Sequence, residues 1–228
     1  MIRTLTCIAL FSVMLGCKSE TKKTDDTSAN PSEEKVELTA FENIAKAYGI
    51  DKWKDVKEID FTFNVDTDGK HFQRAWQWQP KTNDVVMMTE KDTVRYNRAS
   101  VDSLSLKADQ AFINDKFWLL SPFQLVWDED VHISVPVKEA APISKTQLNK
   151  ITLTYLGDQG YTPGDAYDFF YDDDYMIKEW NYRKGNSETP TMSTTFENHE
   201  DFDGIKIAKD HKKADADWNL FFSDIKIK

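Results

Sequence analysis

Cysteine is nearly absent from this chain of 228 residues: there are two, Cys7 and Cys17, and none follows position 17. The body of the protein therefore has no thiol. That excludes a disulfide scaffold, an iron–sulfur cluster, a Cys-ligated zinc site and a cysteine nucleophile. Positive charge is also short, with 29 Lys and Arg against 39 Asp and Glu for a net charge of -10. A nucleic-acid binder needs a basic face to neutralise phosphates, so that class is set aside. The four histidines, His71, His132, His199 and His211, stand alone, without HxH or HExxH spacing, and no serine sits in a GxSxG elbow. No fixed-period repeat is visible. These absences leave no catalytic residue, no metal ligand set and no cofactor to nominate, and an enzyme is not expected.

What is present begins with an address. Arg3 supplies a positive charge, and Leu5 to Leu15 is an apolar run of signal-peptide length, too short for a permanent membrane span. It ends in Met14-Leu15-Gly16-Cys17, which resembles the lipobox cut by lipoprotein signal peptidase. Residues 1–16 are then the leader, and Cys17, acylated with palmitate-type chains, becomes the mature N-terminus and the membrane anchor. Each buried methylene contributes about 0.8 kcal/mol, so several chains on Cys17 outweigh the repulsion of an acidic protein from anionic lipid. Residues 17–35 read as the lipidated Cys and a flexible tether, because KSETKKTDDTSANPSEEK has no large apolar residue with which to offset the entropy of ordering.

From residue 36 to 228 the pattern is that of one β-rich domain. Phe41, Ile44, Ala45 and Tyr48 fall at helical spacing and Gly49 is a natural stop, which predicts an N-terminal helix. Ile59 to Val65 alternates with period two, and Asp66-Thr67-Asp68-Gly69 turns it into a second strand, Lys70 to Gln79. Asp84–Thr89 and Thr93–Asn97 read as short strands. Ser103 to Asp115 changes to helical spacing and leads into Phe117–Trp127, an apolar stretch interrupted by Pro122 and read as a buried helix-loop or a lid over a cavity. Strand signals return at His132–Val137, Lys150–Leu156, Tyr167–Tyr171, Met176–Arg183, Thr191–Phe196, Ile205–Ala208 and Trp218–Ile227. Asp172-Asp173-Asp174 reads as a solvated turn before a cation site, and the acidic, His-containing stretch from His199 to His211 as loop and edge strand.

The positive signal is a surplus of large aromatic side chains on alternating strand positions. Phe61, Phe63, Phe72, Trp76, Trp78, Tyr155, Phe169, Tyr171, Trp180 and Tyr182 fit one face of a single curved sheet. A closed sandwich would use all of them as core; a half-open barrel under a helical lid would leave a ligand-sized cavity.

The opening from Tyr48-Gly49-Ile50-Asp51-Lys52-Trp53 to Glu58-Ile59, the hairpin Asp165–Trp180 with its acidic turn between aromatic strands, and the closing Phe202-Asp203-Gly204-Ile205-Lys206-Ile207 strand together resemble bacterial lipoproteins related to the LolA and LolB carriers. The resemblance implies a mainly β (α+β) fold, in which a curved antiparallel sheet forms a half-open β-barrel with an N-terminal helix and a helical lid insert. It also implies a lipid-anchored envelope protein of the outer membrane that binds a lipid, acyl chain or other hydrophobic ligand; the acidic charge predicts no nucleic-acid partner, and with no sequence reason for an obligate oligomer a monomer is expected. The candidate cavity residues are Phe61, Phe63, Phe72, Trp76, Trp78, Trp118, Phe169, Tyr171 and Trp180. The alternative is an envelope interaction or structural lipoprotein whose core is filled by its own side chains.

Overall fold

Thr39 starts the first helix by a reciprocal cap: its hydroxyl accepts from the Glu42 amide while the Glu42 carboxylate accepts from the Thr39 amide. Helix α1 (Ala40–Ala47) follows and buries Ile44 and Ala45. It stops where Gly49 takes a φ of 90°, which a side chain disfavours. A short 3-10 turn, Ile50–Asp55, then delivers the chain to the first strand.

The computed structural model describes residues 37–157 and 161–228, and residues 37–228 form one compact unit. Cys17, the leader and the tether lie outside the described residues.

Strands β1 (Ile59–Thr67) and β2 (Lys70–Gln79) pair antiparallel from Ile59↔Trp78 to Thr67↔Lys70. Asp68 and Gly69 both adopt positive φ in the two-residue turn, the geometry that matches strand twist and favours Asp-Gly. Strands β3 (Asp84–Met88) and β4 (Thr93–Asn97) extend this sheet on one side. After a helix, α2 (Leu106–Trp127), come β5 (Val131–Ile133), β6 (Val137–Ala140), β7 (Gln147–Tyr155), β8 (Ala166–Tyr171), β9 (Ile177–Arg183) and β10 (Met192–Thr195). The chain closes with β11 (Glu197–Phe202), β12 (Ile205–Lys212) and β13 (Trp218–Ile227).

These strands form two antiparallel sheets where the aromatic pattern suggests one. The larger has the order β11-β12-β13-β1-β2-β3-β4; the smaller runs β10-β9-β8-β7-β5, with β6 also on β7. Strands β10 and β11 are separated by Phe196 alone, and one pairs with β9 while the other pairs with β12. The two sheets therefore meet at a bend in what is almost a continuous strand, and they do not close into a barrel. The Phe196 amide donates to the Lys178 carbonyl, which fastens the bend to the smaller sheet.

The helical insert also differs from its expected division. Leu106–Trp127 is one helical run, bent at Leu120 (φ -125°, ψ 24°), two residues before Pro122. Proline has no amide hydrogen to donate and its ring crowds the carbonyl four residues back, so the helix yields there without ending. Its second half is buried without a break from Phe117 to Leu125, Ser121 and Gln124 included. Phe112 packs edge-on against Trp76 and Trp78 of the larger sheet, with centroids 5.3 and 5.4 Å apart, while Trp118 lies 4.4 Å from Trp180 of the smaller one. The buried Asp115 carboxylate fixes the rotation of α2: it accepts from Arg74 Nε at 2.5 Å and from Trp76 Nε1 at 2.8 Å. The expected strand His132–Val137 is broken into β5 and β6 around Pro136, and β12 continues four residues past Ala208.

Candidate functional site

Because α2 is held to the larger sheet by Asp115 and Phe112, it does not fill the space over β7, β8 and β9. A cavity of about 520 Å³ remains between the helix and the smaller sheet. Its helical wall includes Gln110, Ile113, Asn114, Lys116, Phe117 and Trp118. Positions 110, 113, 114 and 117 recur at the helical spacing that shares one face. The sheet wall is Tyr155 from β7, Tyr167 from β8, Trp180 and Tyr182 from β9, and Met192 from β10. Strand pairing produces this row: Tyr167 is opposite Tyr182, and alternation on β8 puts Tyr167 on the same face as Phe169 and Tyr171.

The rings pack on one another. Phe117 lies 4.5 Å from Tyr167, and Tyr167 lies 5.3 Å from both Trp180 and Tyr182. Two of the tyrosine hydroxyls on this wall are held by carboxylates. Tyr155 donates to Asp128 Oδ2 at 2.5 Å and Tyr182 to Asp165 Oδ2 at 2.7 Å. Burial, reinforced by the neighbouring carboxylates, raises both phenols, Tyr182 to about 12 and Tyr155 further still. They stay protonated and act as fixed donors.

Charge is confined to the rim and the helical wall. Asp128 accepts from Gln124 Nε2 at 2.7 and 2.9 Å as well as from Tyr155. Arg98 donates through Nε to Asp109 at 2.8 Å, and Tyr161 donates to the same carboxylate at 2.7 Å. Glu129 and Asp130 are exposed. Lys116 is different: burial pulls its amine down to about 8, and among the described residues no carboxylate lies within 4.0 Å of it. Its Nζ sits 5.9 Å from the centroid of the Trp78 ring.

Of the nine residues predicted to line a cavity, Trp118 and Trp180 do so. Phe61 and Phe63 instead pack edge-on against Phe222 inside the larger sheet, both at 6.0 Å. Trp76 and Trp78 meet Phe112, and Phe169 packs beneath Trp180 at 5.8 Å. Tyr171 stacks on Tyr175 beside a second depression that also involves Leu38, Asn149 and Asp172. Phe72 is 49% exposed at the outer end of β2, over the Arg74 guanidinium. Sequence reasoning missed Tyr167, Asp128 and Lys116, and gave Phe117 and Gln124 only as part of a buried helix-loop or lid. Alternation on β8 carried the signal for Tyr167, and helical spacing from Ile113 carried it for Phe117; nothing local marked the three polar residues.

The acidic turns use their own carboxylates. Asp172 accepts from the Asp174 and Met176 amides and pairs with Lys178, while Asp173 bonds Lys138 and Asn149. His199 Nε2 is 2.8 Å from the Tyr48 hydroxyl. Among the described residues, no three His, Cys, Asp or Glu side chains converge as a metal site.

No protein-family model matches the chain, and no curated protein matches it. Solved structures do. A LolA superfamily protein from Nitrosomonas europaea superposes with a TM-score of 0.51 at 14% identity, over 84% of this chain and 94% of that one. A DUF1329 family protein from Desulfovibrio piger gives a TM-score of 0.44 at 8% identity, over 83% and 92%. The antiparallel sheets around a central helix are thus a LolA-like fold.

Proposed function

We propose that this chain is an outer-membrane lipoprotein, anchored through acylated Cys17, whose folded unit binds an acyl chain or similar hydrophobic ligand and takes part in envelope lipid or lipoprotein trafficking without carrying out a reaction. The observation that carries the reading is the aromatic-walled cavity of about 520 Å³ between α2 and the smaller sheet. This volume is within the range of roughly 300–1,000 Å³ typical of small-molecule sites. On this reading the two sheets, joined at Phe196, act as a half-open barrel around α2, and α2 serves as the lid. Burial of apolar ligand surface supplies roughly 25 cal/mol per Å², so affinity needs no covalent chemistry. The LolA-like fold supports the reading as architecture; the cavity supports it as chemistry.

The test is native mass spectrometry of the exported, detergent-extracted protein, followed by organic extraction. A lipid retained near one per chain is the expected result. A folded but empty protein that shows no change in tryptophan emission on titration with long-chain amphiphiles would refute it. One observation favours a second reading, an interaction lipoprotein with a filled core: Phe61, Phe63, Trp76 and Trp78 are all buried in side-chain packing within the larger sheet. Refutation of the cavity reading would leave that one standing.

A further inference from the structure

The cavity wall is not electrically balanced at contact distance. Arg98 and Lys116 both line it, and only Arg98 has a carboxylate partner, Asp109. Lys116 lies on the helical wall, with its stem partly buried and its ammonium over the Trp78 ring rather than against an anion. Holding an ammonium away from water without a counter-ion is costly, and the depressed basicity of this amine reflects the cost. Asp128, an acid on the same wall, favours the charged amine through space without touching it, and its carboxylate receives Gln124 and Tyr155. Glu129 and Asp130 stand in solvent at the rim, where water and salt screen them. Phe117, Tyr167 and Trp180 continue the wall beyond Lys116 as apolar surface.

We propose that the ligand is a single-chain amphiphile with an anionic headgroup, and that Lys116 selects it by supplying the counter-charge while the rings of Phe117, Tyr167 and Trp180 cover the chain. This rests on the cavity reading above and adds the headgroup to it. The ligand's anion completes the ion pair that the protein leaves open, and a neutral head of the same length would leave the ammonium unpaired.

The experiment uses the full chain carrying Cys17→Ser, so that no acyl chain of its own competes, and three probes that share a dodecyl tail: laurate, dodecanol and dodecyltrimethylammonium. Binding is read by tryptophan emission and calorimetry. Laurate is expected to bind at least about tenfold more tightly than dodecanol, and Lys116→Met is expected to lower laurate affinity to that of dodecanol while dodecanol affinity is unchanged; a tenfold ratio is about 1.4 kcal/mol. Lys116→Gln serves as a second neutral variant, and Lys116→Arg should restore the preference. Equal binding of laurate and dodecanol, tighter binding of the cationic probe, or laurate affinity unaffected by either neutral variant would overturn the headgroup assignment while leaving the cavity reading intact. Failure of the wild-type residues to bind any of the three probes would overturn both.

Discussion

Acidification should destabilise this fold through one imidazole. His211 is fully buried on β12, in a box of rings formed by Phe196 at 4.5 Å, Trp118 at 5.2 Å and Phe222 at 6.1 Å. Nδ1 donates to the Thr195 carbonyl at 3.1 Å, which leaves Nε2 unprotonated and, among the described residues, without a partner. Burial pushes the pKa from 6.5 down to about 4, against weaker opposing pulls from the Thr195 carbonyl and from Asp210. Between pH 6.5 and pH 4 the unfolded chain binds a proton that the folded chain refuses, so stability falls as pH falls through that window. His211 is neutral in both states above the window and imposes no penalty there. At about 1.4 kcal/mol per pH unit of difference, protonation costs about 2 to 3 kcal/mol by pH 4.5. Carboxylates that are hydrogen-bonded in the fold lose stability over much the same range, so wild type must be compared with a variant that cannot titrate at this position.

His211→Phe is suitable, because it keeps an aromatic ring in the box and sacrifices only the bond to Thr195. Urea unfolding of both proteins, followed by circular dichroism at about pH 7.5 and about pH 4.5, gives two stability differences, and His211→Phe should gain about 2 to 3 kcal/mol on wild type between them. A difference that does not change with pH, or an imidazole whose NMR resonance titrates near 6.5, would show that the box is wet and the argument wrong.

Cys17→Ser should abolish incorporation of labelled palmitate and leave the leader uncleaved; label that persists in the variant would refute lipidation at Cys17. Asp115→Ala strands the Arg74 guanidinium and the Trp76 indole against α2, and should cost about 3 to 5 kcal/mol in denaturant unfolding. A loss under about 1 kcal/mol would mean that Asp115 does not fix the helix. Trp180→Ala removes the ring shared by Phe117, Trp118, Tyr167 and Phe169, and an unfolding cost of about 3 to 5 kcal/mol is expected, with enlargement of the cavity. Gly49→Ala would place a Cβ 1.8 Å from the Gly204 carbonyl oxygen at a φ of 90°, and should cost at least about 2 kcal/mol. A stability equal to wild type would show that the α1 end is not docked on the β11–β12 turn.

Local signals determined much of the secondary structure. Period-two alternation and Asp68-Gly69 dictated the β1–β2 hairpin, since a two-residue turn with positive φ at both positions admits few other sequences. The Thr39–Glu42 cap and Gly49 likewise bounded α1. Alternation also said which side chains share a face of a strand. It did not say which face meets a cavity and which meets another layer, because core packing and ligand contact use the same apolar surface. Only the tertiary structure decided that Phe61, Phe63, Trp76, Trp78 and Phe169 are filled in while Trp118 and Trp180 border a space. The division into two sheets turned on a single residue, Phe196, at which the pairing partner changes from β9 to β12. Lys116 illustrates the limit most sharply: in the sequence it is one of 29 basic residues. Its place on the cavity wall, out of contact with any carboxylate among the described residues, depends on Asp115 binding Arg74 and Trp76 from the adjoining position, a contact between segments about forty residues apart.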